Sequence, residues 1–543
     1  MTALTARPAA TGPLAGTLPL ARLALRRDRL MVPAWVLGLG LMTVGGASSI
    51  AALYDTPASR IGLARSMAGN GSLRALYGPV FDASTTGGLT AWRFGVFGAA
   101  LAGLMGILLV VRHTRDEEEA GRLELVGAAA VGRRAPLTAA LLTASGAGIA
   151  LGLLVAVGLC AQGEGVAGSF ALGLAFTLST VVFASLAGVT AQLAETGRAA
   201  RSLAGTVLGL AFLLRAAGDS AQDGGPSWLV WASPLGWTEQ LRPFADERWW
   251  VVPLLLGAAS ALTAVAHALV ARRDLDAGLL ASRPGPATAS RRLSGPFGLA
   301  WRLQRGSLYG WAAGFAVAGL AFGSLADGVA DLIRDNARLA DVFRRIGGAQ
   351  QLTDTYLASM VSLLAMLASV YTVQSVLRLH GEETSGRAEP VLAGAVSRLR
   401  WAASHLVPAG LGGLALLLVA GLSLGLGHGA TGGDLPGQAS RMTGAALVLA
   451  PAVWFTGATA FVLHGVVPRA AGAAWGLLGF FLLVGLYGPV LDLPRPVLDL
   501  SPFSHLPKVP AEDPTALPLI VLGLLAAALT AVGAAGLRRR DLG

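Results

Sequence analysis

Lysine occurs once in the 543 residues, as Lys508, and cysteine once, as Cys160. A single cysteine excludes an intrachain disulfide and any cysteine-based metal site. The lone lysine sits in Leu506-Pro507-Lys508-Val509-Pro510. A phosphate-binding loop of the form G-x-x-x-x-G-K-[ST] needs lysine at the phosphates, so the chain has no ATP-hydrolysing site of that kind. Charged residues are scarce, at 13%, where a soluble protein carries about 25%. That excludes an ordinary cytosolic enzyme, and 54% hydrophobic residues exclude disorder. The seven histidines form no HExxH or close pair, so no metal site is predicted; His267 and His405, in or near spans, are expected to bond to neighbours. No paired-acid or Ser/His/Asp set for catalysis stands out. Acids are nearly missing from the interiors of the apolar blocks, which speaks against a proton relay.

What is present is long apolar blocks. A membrane helix needs about 20 apolar residues, and the pattern predicts twelve spans. They run at about 31–54, 92–112, 136–160, 166–193, 202–219, 250–271, 309–329, 355–378, 401–427, 440–464, 471–491 and 516–537. The fifth is the weakest, because Arg215 lies near its end. Gly427-His428-Gly429-Ala430-Thr431-Gly432 matches GxGxxG but follows a span rather than a strand, so a loop is expected there. The net charge is +10 and is carried by arginines that flank the spans. Roughly 27 of the 41 basic residues fall on the side of both termini, which the positive-inside rule places in the cytoplasm. This explains the charge better than nucleic-acid binding does. A multi-pass protein of the bacterial cell membrane is the expected class.

The chain repeats itself. Glu117-Glu118-Glu119-Ala120-Gly121-Arg122-Leu123-Glu124 returns as Glu382-Glu383-Thr384-Ser385-Gly386-Arg387-Ala388-Glu389. Ser233-Pro234-Leu235 returns as Ser501-Pro502-Phe503, and Arg272-Arg273-Asp274-Leu275 as Arg539-Arg540-Asp541-Leu542. The offset is nearly constant, about 265–268 residues, so the halves share orientation and form a parallel repeat. The expected organisation is a first half at 1–271, a cytoplasmic linker at 272–296 rich in Pro, Ala, Ser and Arg, and a second half at 297–543. Basic amphipathic stretches at 18–30 and 297–308 suit helices lying in the membrane interface. Between the first two spans of the second half, Leu332, Leu339, Phe343 and Ile346 stand at helical spacing and predict an external helix. Gly148 and Gly152, and Gly421 and Gly425, form GxxxG pairs that would let helices approach closely.

The repeated acidic segment is the most specific feature. A cytoplasmic loop normally carries positive charge, so Glu117, Glu118, Arg122 and Glu124, and Glu382, Glu383, Arg387 and Glu389, run against the trend. A solvated hairpin would explain one such cluster; two at equivalent places read as docking helices for a partner.

With its two six-span halves, its E-E-x-x-G-R-x-E segment after the second span of each, and the Ser-Pro segment before each last span, the chain resembles ABC-2-type permeases of actinobacteria. These include exporters of polyketide antibiotics, tetronasin-exporter-like and multidrug-efflux permeases. The resemblance implies an all-α polytopic fold of about twelve transmembrane helices as two fused six-helix repeats. It implies two copies of a separate ATP-binding subunit, which would use the ATP and Mg2+; this chain would bind no cofactor itself. It implies that 114–128 and 380–396 are coupling helices and that 18–30 and 297–308 are elbow helices. Spans 2, 5, 8 and 11 would flank a path for amphiphilic or hydrophobic cargo, with Phe94, Phe97, Phe212, Phe480 and Phe481 as lining candidates. An ion-coupled secondary transporter, which also often has two six-span halves, is the alternative. A membrane-embedded enzyme using Asp55 or Asp82 is a third.

Overall fold

In a computed structural model, the described residues are 12–68, 71–127, 131–220, 227–274, 277–280, 288, 290, 293, 295–326, 348–487 and 494–540. All regular structure among them is helical. The chain divides into two compact units, Met1–Gly285 and Pro286–Gly543.

Unit 1 runs α1 (Thr17–Arg27), α2 (Met31–Leu53), α3 (Pro57–Ala68), α4 (Gly71–Tyr77), α5 (Thr86–His113), α6 (Arg115–Glu119), α7 (Arg122–Gly127), α8 (Ala135–Ala161), α9 (Val166–Leu193), α10 (Gly197–Ser220), α11 (Trp228–Trp231), α12 (Pro234–Glu239) and α13 (Val251–Val270). Unit 2 runs α14 (Pro296–Ser324), α15 (Gly348–Thr384), α16 (Glu389–Leu392), α17 (Arg398–Gly432), α18 (Leu435–Val448), α19 (Ala450–Val466), α20 (Ala473–Tyr487), α21 (Arg495–Leu498) and α22 (Ala516–Arg539). Among the described residues, ten helices are long and apolar enough to cross a membrane: α2, α5 with α6, α8, α9, α10, α13, α15, α17, α18 with α19, and α22. The chain is a multi-pass membrane protein. α20 is apolar but shorter, and in α14 Ser, Tyr, Gly and Trp dilute the apolar half. The predicted helix through Leu332, Leu339, Phe343 and Ile346 lies outside the described residues.

Three elements differ from expectation. The stretch 297–308 is no separate interfacial helix but the first half of the unbroken α14; in unit 1, by contrast, α1 is set off from α2 by the buried Asp28 turn. Residues 427–432 are the last turns of α17, which ends only at Gly433 with φ +80°. Arg215 does not break the fifth span, because α10 passes through it to Ser220.

The helices pack through small residues. In unit 1, α9 is the central helix; Ser179 Oγ donates to the Ala99 carbonyl of α5 (2.6 Å) and Thr180 Oγ1 to Ala102 (3.2 Å). Bonds of this kind in a bilayer are worth about 0.6 kcal/mol each, so they fix register more than they stabilise. A Cβ at Gly148 would lie 2.8 Å from Thr180 Cβ, and one at Gly421 only 2.6 Å from the Met442 carbonyl oxygen. Gly152 and Gly425 meet backbone in the same way, so both GxxxG pairs are places of close helix approach.

Candidate functional site

The acidic segment of unit 1 begins where α5 breaks at Thr114. α6 is one turn of Arg-Asp-Glu-Glu-Glu, which suits the positive end of a helix. Gly121 then turns the chain with φ +68°, a left-handed conformation that costs glycine least, and α7 follows. Each acid is spent on a different neighbour. Glu117 accepts from Arg122 Nε (2.8 Å) and pairs with Arg27 of α1 (2.6 Å). Glu118 takes both Arg273 Nη1 and Nη2 (2.6 and 2.8 Å) and lies 2.9 Å from Arg115. Asp116 accepts from Arg201 of α10 (2.6 Å), and Glu119 accepts from the Gly197 N–H (3.0 Å), capping α10. The segment is thereby tied to α1, α10 and the end of α13.

Unit 2 repeats the central part of this arrangement. Arg387 Nε donates to Glu382 (3.2 Å), as Arg122 does to Glu117. Gly386 has φ +69°. Glu383 accepts from both Arg540 Nη1 and Nη2 at 2.6 Å, as Glu118 accepts from Arg273. In each unit the arginine of the Arg-Arg-Asp-Leu segment after the last helix therefore holds the second acid of the E-E-x-x-G-R-x-E segment. Sequence reasoning did not single out Arg273 and Arg540 as site residues, although both belong to a repeated motif. Of the predicted docking residues, Glu118 is buried and Glu117, Glu382 and Glu383 are half-buried. Arg122, Glu124, Arg387 and Glu389 are exposed. A cleft of about 400 Å³ opens beside the unit 1 segment, lined among others by Glu118, Leu123, Val131, Arg133 and Arg273.

The phenylalanines fall differently. In unit 1, Phe97 meets Phe212 (5.8 Å between centroids) and Tyr77 (5.5 Å), and Phe94 packs on Gly46. In unit 2, Phe481 is buried against Phe455 (6.3 Å), while Phe480 beside it is exposed. Asp82 holds the turn before α5: it accepts from Ser84 N (2.8 Å) and Thr85 N (3.2 Å), and Thr85 caps the helix. Burial raises its pKa, but the Thr85 and Ser84 hydrogen bonds prevail and hold it below the usual value. His267 bonds Thr138 (2.9 Å), and His405 bonds Gln304 (3.2 Å). Among the described residues no group of three His, Cys, Asp or Glu is placed to hold a metal ion.

At the end of unit 1 opposite the acidic segment lies a feature the sequence did not announce. Arg215, fully buried, pairs with Asp219 (3.1 Å), donates to the Ala75 and Leu76 carbonyls (2.8 and 3.2 Å) and sits 3.7 Å from Glu239. Its guanidinium covers the Phe212 ring. Burial, and then the neighbouring Asp219, push Glu239 well above the usual carboxylate range.

The family described as "Multidrug efflux system permease Rv1217c, C-terminal domain" matches residues 18–270 and 293–538. The multidrug efflux system permease protein Rv1217c of Mycobacterium tuberculosis (strain ATCC 25618 / H37Rv) is 45% identical over 528 residues, covering 97% of this chain and 95% of that protein. The chain belongs to the Rv1217c family of multidrug efflux system permeases.

Proposed function

We propose that the chain is the transmembrane subunit of an ATP-driven exporter of the ABC-2 type. It would move amphiphilic or hydrophobic compounds, antibiotics and other drugs among them, out of the cytoplasm or inner leaflet. Two copies of a separate ATP-binding subunit would supply the energy. The single observation that carries this reading is the twofold brace: an acidic segment locked to the residues that follow the last helix, by Glu118–Arg273 in unit 1 and by Glu383–Arg540 in unit 2. A partner that moves on ATP binding must push on something rigid. A segment held to its spans by paired charges transmits such a push, where a free hairpin would absorb it. The exposed Arg122, Glu124, Arg387 and Glu389 would meet the partner, and the other four predicted residues would hold the segment in shape. Two like sites suit two partner copies around twelve spans arranged as two six-span repeats, and the absence of a phosphate-binding lysine motif fits energy supplied from outside. The relative's description as a multidrug efflux permease agrees with the cargo. Phe94, Phe97 and Phe212, and Phe480 and Phe481, are the proposed contacts along the path.

The test is co-expression with a candidate ATP-binding subunit, followed by co-purification, ATP turnover in lipid and drug export from the vesicles. Glu124→Arg with Glu389→Arg is expected to reduce co-purification and export several-fold while the chain still inserts. Robust ATP turnover by the isolated chain, or undiminished export by the double variant, overturns the reading. A second reading, ion-coupled transport, draws on one observation: Asp219 and Glu239 share a buried site with Arg215. Export driven by an imposed proton gradient without ATP, and lost in Asp219→Asn, favours it.

A further inference from the structure

The Ser-Pro segments that precede the last helix of each unit start alike. Ser233 Oγ donates to the Ala211 carbonyl (2.6 Å), and Ser501 Oγ to the Phe481 carbonyl (3.1 Å). Beyond that point they diverge. In unit 1 the segment ends on Thr238 and Glu239, which line a cavity of only about 30 Å³ beside the Arg215–Asp219–Glu239 cluster. At the same offset from the Ser-Pro pair, unit 2 carries Leu506 and Pro507, and these line a cavity of about 460 Å³. The unit 1 cavity is small and lies beside buried charge, whereas the unit 2 cavity is larger and the charged residues described in its lining are exposed.

The open pocket has a definite chemistry. Its walls are apolar, with Met366, Leu449, Val484 and Phe503 reaching down among the spans. Two cations line it, Arg495 and Lys508, the only lysine of the chain. Both are exposed, and among the described residues neither side chain has an ion-pair partner. Among the described residues one carboxylate, Asp499, also lines the pocket, so the described lining carries a net charge of about +1 by formal count. A singly charged anionic head is favoured there, a cationic head is repelled, and an apolar tail finds apolar walls. A volume of about 460 Å³ lies within the range of small-molecule sites, roughly 300–1,000 Å³.

We propose that this pocket of unit 2, at the end opposite the acidic segment, binds an anionic amphiphile: a carboxylate or phosphate head between Arg495 and Lys508, and an apolar body against Met366, Leu449 and Val484. The head has two possible sources, a free amphiphilic acid or a membrane phospholipid. The site stands on the pocket itself and not on the energy source proposed above, so the test uses the chain alone.

The full chain is placed in phosphatidylcholine nanodiscs and titrated with cis-parinaric acid and, separately, its methyl ester, both read by fluorescence. The acid is expected to bind saturably and at least about tenfold more tightly than the ester. Arg495→Gln with Lys508→Gln should weaken the acid about tenfold and leave the ester unchanged. Lys508→Arg alone, which keeps the charge, should bind the acid as the parent does. Arg469→Gln, remote in sequence and outside the pocket lining, controls for general loss of positive charge and should bind as the parent does. Equal binding of acid and ester, or unweakened acid binding in the double variant, overturns the proposal. So does a double variant that fails to fold while Lys508→Arg folds but loses acid binding. Replacing part of the phosphatidylcholine by phosphatidylglycerol identifies the source: competition assigns the site to a phospholipid head, and lack of competition to a free amphiphilic acid. Both results support the site.

Discussion

Glu118 and Glu383 hold the same place in the repeated segment, and each is bound to an arginine of its own unit. Each carboxylate receives two nitrogens of one guanidinium, the planar two-point geometry that makes arginine–carboxylate pairs strong and directional. Glu118 is only 3% exposed in its side chain and Glu383 12%, so water does little to replace a lost partner at either. Removing one member of a buried pair costs about 3–5 kcal/mol, whereas exposed substitutions usually stay within about 0.5 kcal/mol. Arg273→Gln and Glu118→Gln should therefore lower the Tm of the purified chain in detergent clearly, and Arg540→Gln somewhat less. Arg387→Ala and Glu389→Ala should leave it unchanged. A Tm drop in Glu389→Ala as large as that in Arg273→Gln would remove the distinction between brace and exposed surface. The acids and the arginines were each legible as repeated motifs. Their pairing was not, because 155 residues separate Arg273 from Glu118 and 157 separate Arg540 from Glu383. No local periodicity connects positions so far apart.

At the scale of the helix, the spans were largely legible because the bilayer imposes one rule: backbone polar groups must be satisfied within the segment, so a span must be a long apolar helix. Lengths beyond that rule were not legible. Apolar content alone does not say whether the Gly-rich 427–432 end of a span stays helical; here it does, and Gly427 and Gly429 are used for packing against α14 and the start of α18. Arg215 looked like a terminator, yet α10 carries it inward because Asp219 and two carbonyls of α4 receive its charge. The GxxxG pairs were read correctly as approach points, and their cost can be measured. At Gly421 a Cβ would stand 2.6 Å from both the Met442 oxygen and Thr443 Cα. That is backbone against backbone, with no flexible side chain to yield. Overpacking of this kind costs about 1–3 kcal/mol or more. Gly421→Leu should sharply reduce folded yield, whereas Gly444→Ala, with nothing within 4 Å, should be neutral. Equal yields, compared by fluorescence-detected size exclusion, would show that α17 and α18 are not held at this distance.

For the whole molecule the decisive quantity is which way the chain faces the membrane, because a docking site for an ATP-binding subunit has meaning only in the cytoplasm. The arginine placement predicts that both acidic segments lie inside. A parallel duplication adds a second condition: the two segments must face the same side as each other. The chain's single cysteine makes both conditions testable, since Cys160→Ser leaves no thiol. Four single-cysteine variants then report on position. Glu124→Cys and Glu389→Cys lie on exposed parts of the acidic segments, and Gly165→Cys and Asp513→Cys are exposed before α9 and before α22. Treated with a membrane-impermeant maleimide, intact cells should label positions 165 and 513. Positions 124 and 389 should label only after lysis. The two possible failures mean different things. If 124 and 389 both label in intact cells, the arginine asymmetry has been read with the wrong sign, and docking of a cytoplasmic ATPase there is ruled out. If one labels and the other does not, the halves are inverted relative to each other, and a partner could reach only one of the two braces.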